Sequence, residues 1–133
     1  MIILDTHIWH WWINQIPGRL SKKTVELIEQ ADRVGVSAIS CFEMAWLVEH
    51  KRIELSMTFT EWLVQVKQAD IIEFLPVNEF IATQAVLLPE HHKDPQDRLI
   101  IATAVYHQAS LISFDGAFAD YQEIREGLIG KNK

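Results

Sequence analysis

The feature that most constrains this chain is a short apolar run that stops on an acid, and it occurs at both ends of the sequence. Ile2, Ile3 and Leu4 lead directly into Asp5, and residues 111–114 lead into Asp115. An apolar run of this length suits a strand covered on both faces, the situation of a parallel sheet flanked by helices.

The intervening sequence alternates in kind. Trp9, Trp12, Ile13 and Ile16 recur at helical spacing until Pro17 and Gly18 break the pattern. Ser21 is the predicted N-cap of a helix reaching about Ala31, with Val25 and Ile28 inward, and Val34, Val36 and Ala38 then alternate as a strand. Ser40 is expected to open the next helix, which carries Phe42, Trp46 and Leu47, and Thr60 to cap one with Trp62, Leu63 and Val66. Residues 71–75 read as a strand ending at Pro76, and Asn78 as the cap of a helix to about Leu88. Asp94 followed by Pro95 starts a helix to about His107, and residues 121–128 read as a terminal helix. Strands alternating with helices predict an α/β fold, a three-layer α/β/α sandwich around a central, mostly parallel sheet. With 133 residues, 49% of them hydrophobic, and no repeat or linker, residues 1–133 are expected to form a single domain.

Charge and hydropathy narrow the function. No apolar run reaches the roughly 18 residues needed to cross a bilayer, and no basic segment precedes the first one, so a soluble cytoplasmic protein without membrane contact is expected. The net charge of −6 excludes a general nucleic-acid coat, because sequence-independent affinity comes from Lys and Arg meeting phosphates. Any nucleic-acid role must be local; the basic pairs Lys22 with Lys23 and Lys51 with Arg52, and Arg19 near the first, read as solvated surface. Cys41 is the single cysteine and reads as a small buried hydrophobe.

Four acids fall where strand and helix boundaries deliver them to one rim of the sheet: Asp5, Glu43, Asp97 and Asp115. In open α/β sheets ligands bind beyond the carboxyl ends of the strands, and gathered carboxylates repel one another unless a cation sits among them. Oxygen donors without paired Cys or His suit Mg²⁺ or Mn²⁺ better than Zn²⁺. Each acid also has a local reading. Glu43 fits a capping box with Ser40, Asp94 caps a helix whose first turn holds Asp97, Asp115 before Gly116 fits a turn, and Asp5 fits a cap. His7 with His10, and His91 with His92, lack the partners of a zinc site, and no G-x-S-x-G elbow is present.

The segments MIILDTHIWHWW, SAISCFEMAWLVEHKRIEL and HHKDPQDRLIIATAVYHQASLISFD resemble the PIN-domain family, most closely its VapC-type toxin ribonuclease branch, over nearly the whole chain. The resemblance implies a Mg²⁺- or Mn²⁺-dependent endoribonuclease acting on RNA, with Asp5, Glu43, Asp97 and Asp115 as catalytic and metal-holding acids. It also implies a homodimer and a small antitoxin that blocks the site. Thr6 and Ser40 match small hydroxyl positions lining such sites, and Ser113 takes the place of a common threonine. Asp94 is a candidate to hold a metal-bound water, and Arg98, Lys22 or Lys51 to offset the acids for RNA. After Asp115 the pattern departs, with Gly116, Ala117 and Phe118 before Asp120, which puts a fifth ligand there in doubt. Two alternatives stand beside this. A haloacid-dehalogenase-like phosphatase would use Asp5 as nucleophile but expects an acid where His7 stands. A catalytically silent protein- or RNA-binding module would keep the acids as caps and use aromatic surface. Among the tryptophans, Trp9, Trp12 and Trp46 read as core and Trp11 as interface.

Overall fold

The computed structural model describes residues 1–91, 93–124 and 126–131. Its elements are β1 (Ile2–Leu4), α1 (Thr6–Ile13), α2 (Lys22–Gln30), β2 (Val34–Ser37), α3 (Ala38–Glu49), α4 (Phe59–Ala69), β3 (Glu73–Leu75), α5 (Glu79–Leu87), α6 (Pro95–His107), β4 (Ser110–Ile112) and β5 (Leu128–Ile129). Two 3₁₀ turns, Gly116–Asp120 and Gln122–Ile124, connect β4 to β5. The strands order β3-β2-β1-β4-β5, and every neighbouring pair is parallel.

Strand alternation divides the core. Ile3 and Leu111 face the layer of α5 and α6, whereas Leu4, Val36 and Ile112 face that of α1, α2 and α4. Ile3, Leu4, Leu111 and Ile112 are fully buried, which accounts for runs apolar on both faces. Each such side chain contributes roughly 1.5–3 kcal/mol through burial. The register sets Gly35 opposite Ile3, where a Cβ would fall 2.8 Å from Leu75 Cδ1, so only glycine fits there without displacing the core. α3 contributes Met44 to one core and Ile39 to the other and packs against both α1 and α6, joining the two layers.

Each helix begins on a side chain that accepts a backbone N–H. Asp5, Ser21, Ser37, Thr58, Asn78 and Asp94 cap α1 to α6 in turn. Two expected caps therefore shift. Ser37 rather than Ser40 opens α3, its hydroxyl accepting from Ile39 N at 3.2 Å, and Thr58 rather than Thr60 opens α4, accepting from Glu61 N at 3.2 Å. In both segments two hydroxyl residues compete, and the one with extended backbone wins. β3 starts at Glu73, two residues later than expected.

The expected helix over 121–128 does not form; the described residues there make a 3₁₀ turn and then β5, which pairs Leu128 with Leu111 and Ile129 with Ile112. Tyr121 and Ile124 are still buried, so the apolar spacing was real but is satisfied by turns. No helix among the described residues is long and apolar enough to cross a membrane.

Candidate functional site

β1 and β4 lie side by side, yet the chain leaves β1 toward β2 and β3 on one side and returns to β4 and β5 on the other. Strand order reverses between them, and their carboxyl ends form the crevice where such sheets bind ligands. The backbone ties the two ends together, because Asp5 N donates to Ile112 O at 3.1 Å.

Asp5 follows β1 and is buried, 7% exposed. Its Oδ1 accepts from Ile8 N at 2.9 Å, so it caps α1, and the Ser113 hydroxyl also donates to its carboxylate. Burial pushes its pKa up to about 6 against the lowering effect of those bonds and of His7, and the charge of Glu43 pushes the same way. Ser113 Oγ in turn accepts from Asp115 N at 3.2 Å, so one buried hydroxyl links the two strand-end acids. Asp115 is exposed, and its Oδ1 accepts from Ala117 N at 3.0 Å to start the 3₁₀ turn.

Glu43 comes from the second turn of α3, half-buried, and is not the partner of a Ser40 cap. Ser40 is instead buried inside α3 and accepts a hydrogen bond from the Thr6 hydroxyl at 3.0 Å. Ser40 and Glu43 stand three residues apart on one helical face, so this bond fixes the start of α1 against the helix that carries Glu43.

Asp97 lies in the first turn of α6, and Asp94 caps that helix by accepting from Gln96 N at 2.9 Å. Capping does not remove Asp94 from the site: Glu43, Asp94 and Asp97 each offer a carboxylate oxygen within 4.8 Å of the others. All four expected acids, with Asp94 as a fifth, line one cavity of about 430 Å³ at the crevice. The tightest cluster is nevertheless Glu43, Asp94 and Asp97, with Asp5 and Asp115 on the strand side. Like charges this close are stabilised together by a divalent cation, and the all-oxygen donor set fits a hard one.

The cations are not where the sequence suggested. Arg98 is buried and donates to the carbonyls of Leu88 at 2.8 Å, Pro89 at 2.9 Å and Val86 at 3.1 Å, at the C-terminal end of α5. Charge was legible in the sequence; this direction was not. Lys22 and Lys51 are exposed, and among the described residues no Lys or Arg lines the cavity. His7 lines it, whereas His10 bonds Asn14 at 2.8 Å and His91 packs on Tyr121; His92 lies outside the described residues.

The aromatic expectations divide. Trp9 is fully buried and Trp12 packs against the core, but Trp46 is exposed and stacks on His50 at 3.9 Å. Trp11, expected at an interface, lines the acidic cavity together with Phe114. Burial raises the pKa of the half-buried Cys41 thiol, in keeping with an unreactive residue.

Comparison with known proteins adds three findings. A family model described as the PIN domain matches residues 2–124. Ribonuclease VapC22 of Mycobacterium tuberculosis is 38% identical over 125 residues, covering 93% of this chain and 94% of that protein. Among solved structures, VapBC2 of Rickettsia felis bound to a promoter DNA fragment superposes with a TM-score of 0.72 at 17% identity, over 98% of each chain. A Klebsiella pneumoniae toxin-antitoxin complex gives 0.66 at 21%, again over 98% of each. At such identities the two structural matches speak for the fold alone.

Proposed function

Because the chain belongs to the PIN-domain family, we propose that it is a metal-dependent endoribonuclease, the toxin of a type II toxin-antitoxin pair, hydrolysing RNA phosphodiester bonds at the acidic cavity. The observation that carries this reading is the convergence of Asp5, Glu43, Asp94, Asp97 and Asp115 on one crevice at the strand-order reversal. The donor set supports Mg²⁺ or Mn²⁺, being oxygen throughout, and a buried carboxylate raised to about 6 regains its ordinary acidity beside a cation.

Asp5 and Asp97 would hold the principal ion, with Glu43 and Asp115 binding directly or through water and Asp94 completing the cluster. Such an ion supplies a lower pKa for the attacking water and charge stabilisation for the scissile phosphate. The chain's own contribution is geometry. The Ile8 amide and the Ser113 hydroxyl hold Asp5 in one orientation, and the Thr6–Ser40 bond sets the distance from α1 to Glu43.

The reading extends to partners and place. It takes residues 1–133 as one cytoplasmic domain. A homodimer would bury the apolar groove that Phe80 and Leu87 of α5 form with Tyr106 of α6. A small antitoxin would cover the exposed Phe42 and Trp46 on α3, beside Glu43. One observation favours a second reading, a catalytically silent module: Asp5, Asp94 and Asp115 each already satisfy a backbone N–H.

Manganese titration of the purified protein, alongside end-mapped cleavage of structured RNAs, separates the two. The nuclease binds Mn²⁺ stoichiometrically and cuts only with metal, and Asp5→Asn loses both. Weak binding unchanged by Asp5→Asn, with no cleavage by the wild type, rules for the module.

A further inference from the structure

The acidic cavity has a second wall whose chemistry the metal does not explain. Trp11 and His7 of α1 line it together with Phe114, which lies between Ser113 and Asp115. The three rings form a continuous set: Trp11 is 5.7 Å from His7 and 6.1 Å from Phe114 between centroids, tilted by 32° and 39°. Trp11 and Phe114 are half-buried and rest against the core, whereas His7 is exposed. The Arg19 guanidinium stands 5.4 Å from the centroid of the Trp11 ring, and Arg19 is not among the residues that line the cavity.

An aromatic wall facing a carboxylate cluster suits a ligand with a flat apolar body attached to a metal-seeking anion. A nucleotide has that form: the phosphate goes to the acids and their metal, and the base needs a surface on which to stack. Single-stranded nucleic acid is held in this way, by aromatic faces for the bases and cations for the backbone. A paired base is already stacked in its own helix and would present no free face. Arg19, exposed and beside the wall, is placed for the next phosphate along.

We propose that Trp11, flanked by His7 and Phe114 and with Arg19 beside it, forms a subsite for one unpaired nucleotide adjacent to the scissile phosphate. This assignment rests on the nuclease reading above.

The test uses a single-stranded oligouridine carrying one 2-aminopurine, with Ca²⁺ replacing Mn²⁺ to prevent cleavage. The wild type quenches the probe as the base stacks. Trp11→Leu binds it roughly tenfold or more weakly and loses the quench, and Trp11→Phe recovers most of both. Arg19→Gln keeps the quench but lowers the slope of log affinity against log salt by about 0.7. Unchanged Mn²⁺ affinity in Trp11→Leu establishes that the variant folds. A quench and affinity equal to wild type in Trp11→Leu, or an equal quench on the same probe annealed to its complement, overturns the proposal. Loss of the nuclease reading looks different: the wild type itself then fails to bind Mn²⁺ or to cut RNA.

Discussion

Two clefts open at opposite ends of the same sheet, and the larger one is the less informative. Near the amino ends of β2 and β3 a cleft of about 680 Å³ is lined by Trp12, Ile28, Asp32, Arg33, Asp70 and Glu73, among others. The crevice at the carboxyl ends measures about 430 Å³. In the first, the acids are exposed and two of them face cations: Glu73 is held by Arg33 at 2.7 Å, and Asp32 lies 3.6 Å from the N-terminal ammonium. In the second, five carboxylates face one another and one of them is buried. Carboxylates gathered in a confined space, one of them buried with a raised pKa, mark the smaller crevice as the candidate site; volume does not.

That contrast can be broken most directly by substitution at both ends. Asp97→Asn is expected to lower metal-dependent cleavage by on the order of 10³-fold or more, the scale of losing a group that stabilises developing charge. Glu73→Gln, in the larger cleft, is expected to leave cleavage unchanged. Initial rates on one end-labelled RNA compare them, and equal losses would remove the distinction between the clefts.

Asp5 gives the next largest effect. Its folded pKa of about 6 exceeds the ordinary 3.8, so without metal the group stabilises the fold fully below about pH 3.8 and loses that contribution as pH rises through about 6. Between pH 4 and pH 8 the loss amounts to about 2 kcal/mol from this residue. Urea denaturation in EDTA at several pH values is expected to show it. Asp5→Asn should flatten the profile while keeping the cap to Ile8, and so be more stable than wild type at pH 8 though inactive. A wild type whose stability does not decline over this range would contradict the burial argument.

The smallest expected change belongs to Ser113→Ala. Removing a hydroxyl that lowers the Asp5 pKa moves the alkaline-rising limb of the pH-rate profile upward, and weakens Mn²⁺ binding by about 10-fold, the lower end of the range for a residue that orients a ligand. A profile and affinity identical to wild type would show that Ser113 only supports the turn.

Much of this was legible in the sequence, and the failures share a cause. β1 and β4 are local signals, apolar runs closed by Asp5 and Asp115, and those two acids could be placed because strand ends define the crevice. Asn78 and Asp94 were readable as caps for the same local reason. β5 was not, because two residues become a strand only through pairing with β4, and nothing in the spacing of Tyr121, Ile124 and Leu128 distinguishes that from a helix. Ser37 and Ser40 present the same side chain three residues apart, and backbone conformation chooses between them. Asp94 was read as a cap or as the holder of a metal-bound water, and the structure places the one side chain both on the cap and among the clustered carboxylates. Arg98 was assigned by charge alone, while its direction depends on where α5 ends.

The inward turn of Arg98 has a thermodynamic corollary. Since among the described residues no Lys or Arg lines the carboxylate chamber, a polyanion approaching it without a bound cation meets the charge of the acids at the point where, in the proposed reading, it reacts. In the proposed reading, ion and RNA are then obligate allies: each raises the affinity of the other by the same factor, and the free concentration of divalent metal governs capture of the transcript as well as its scission.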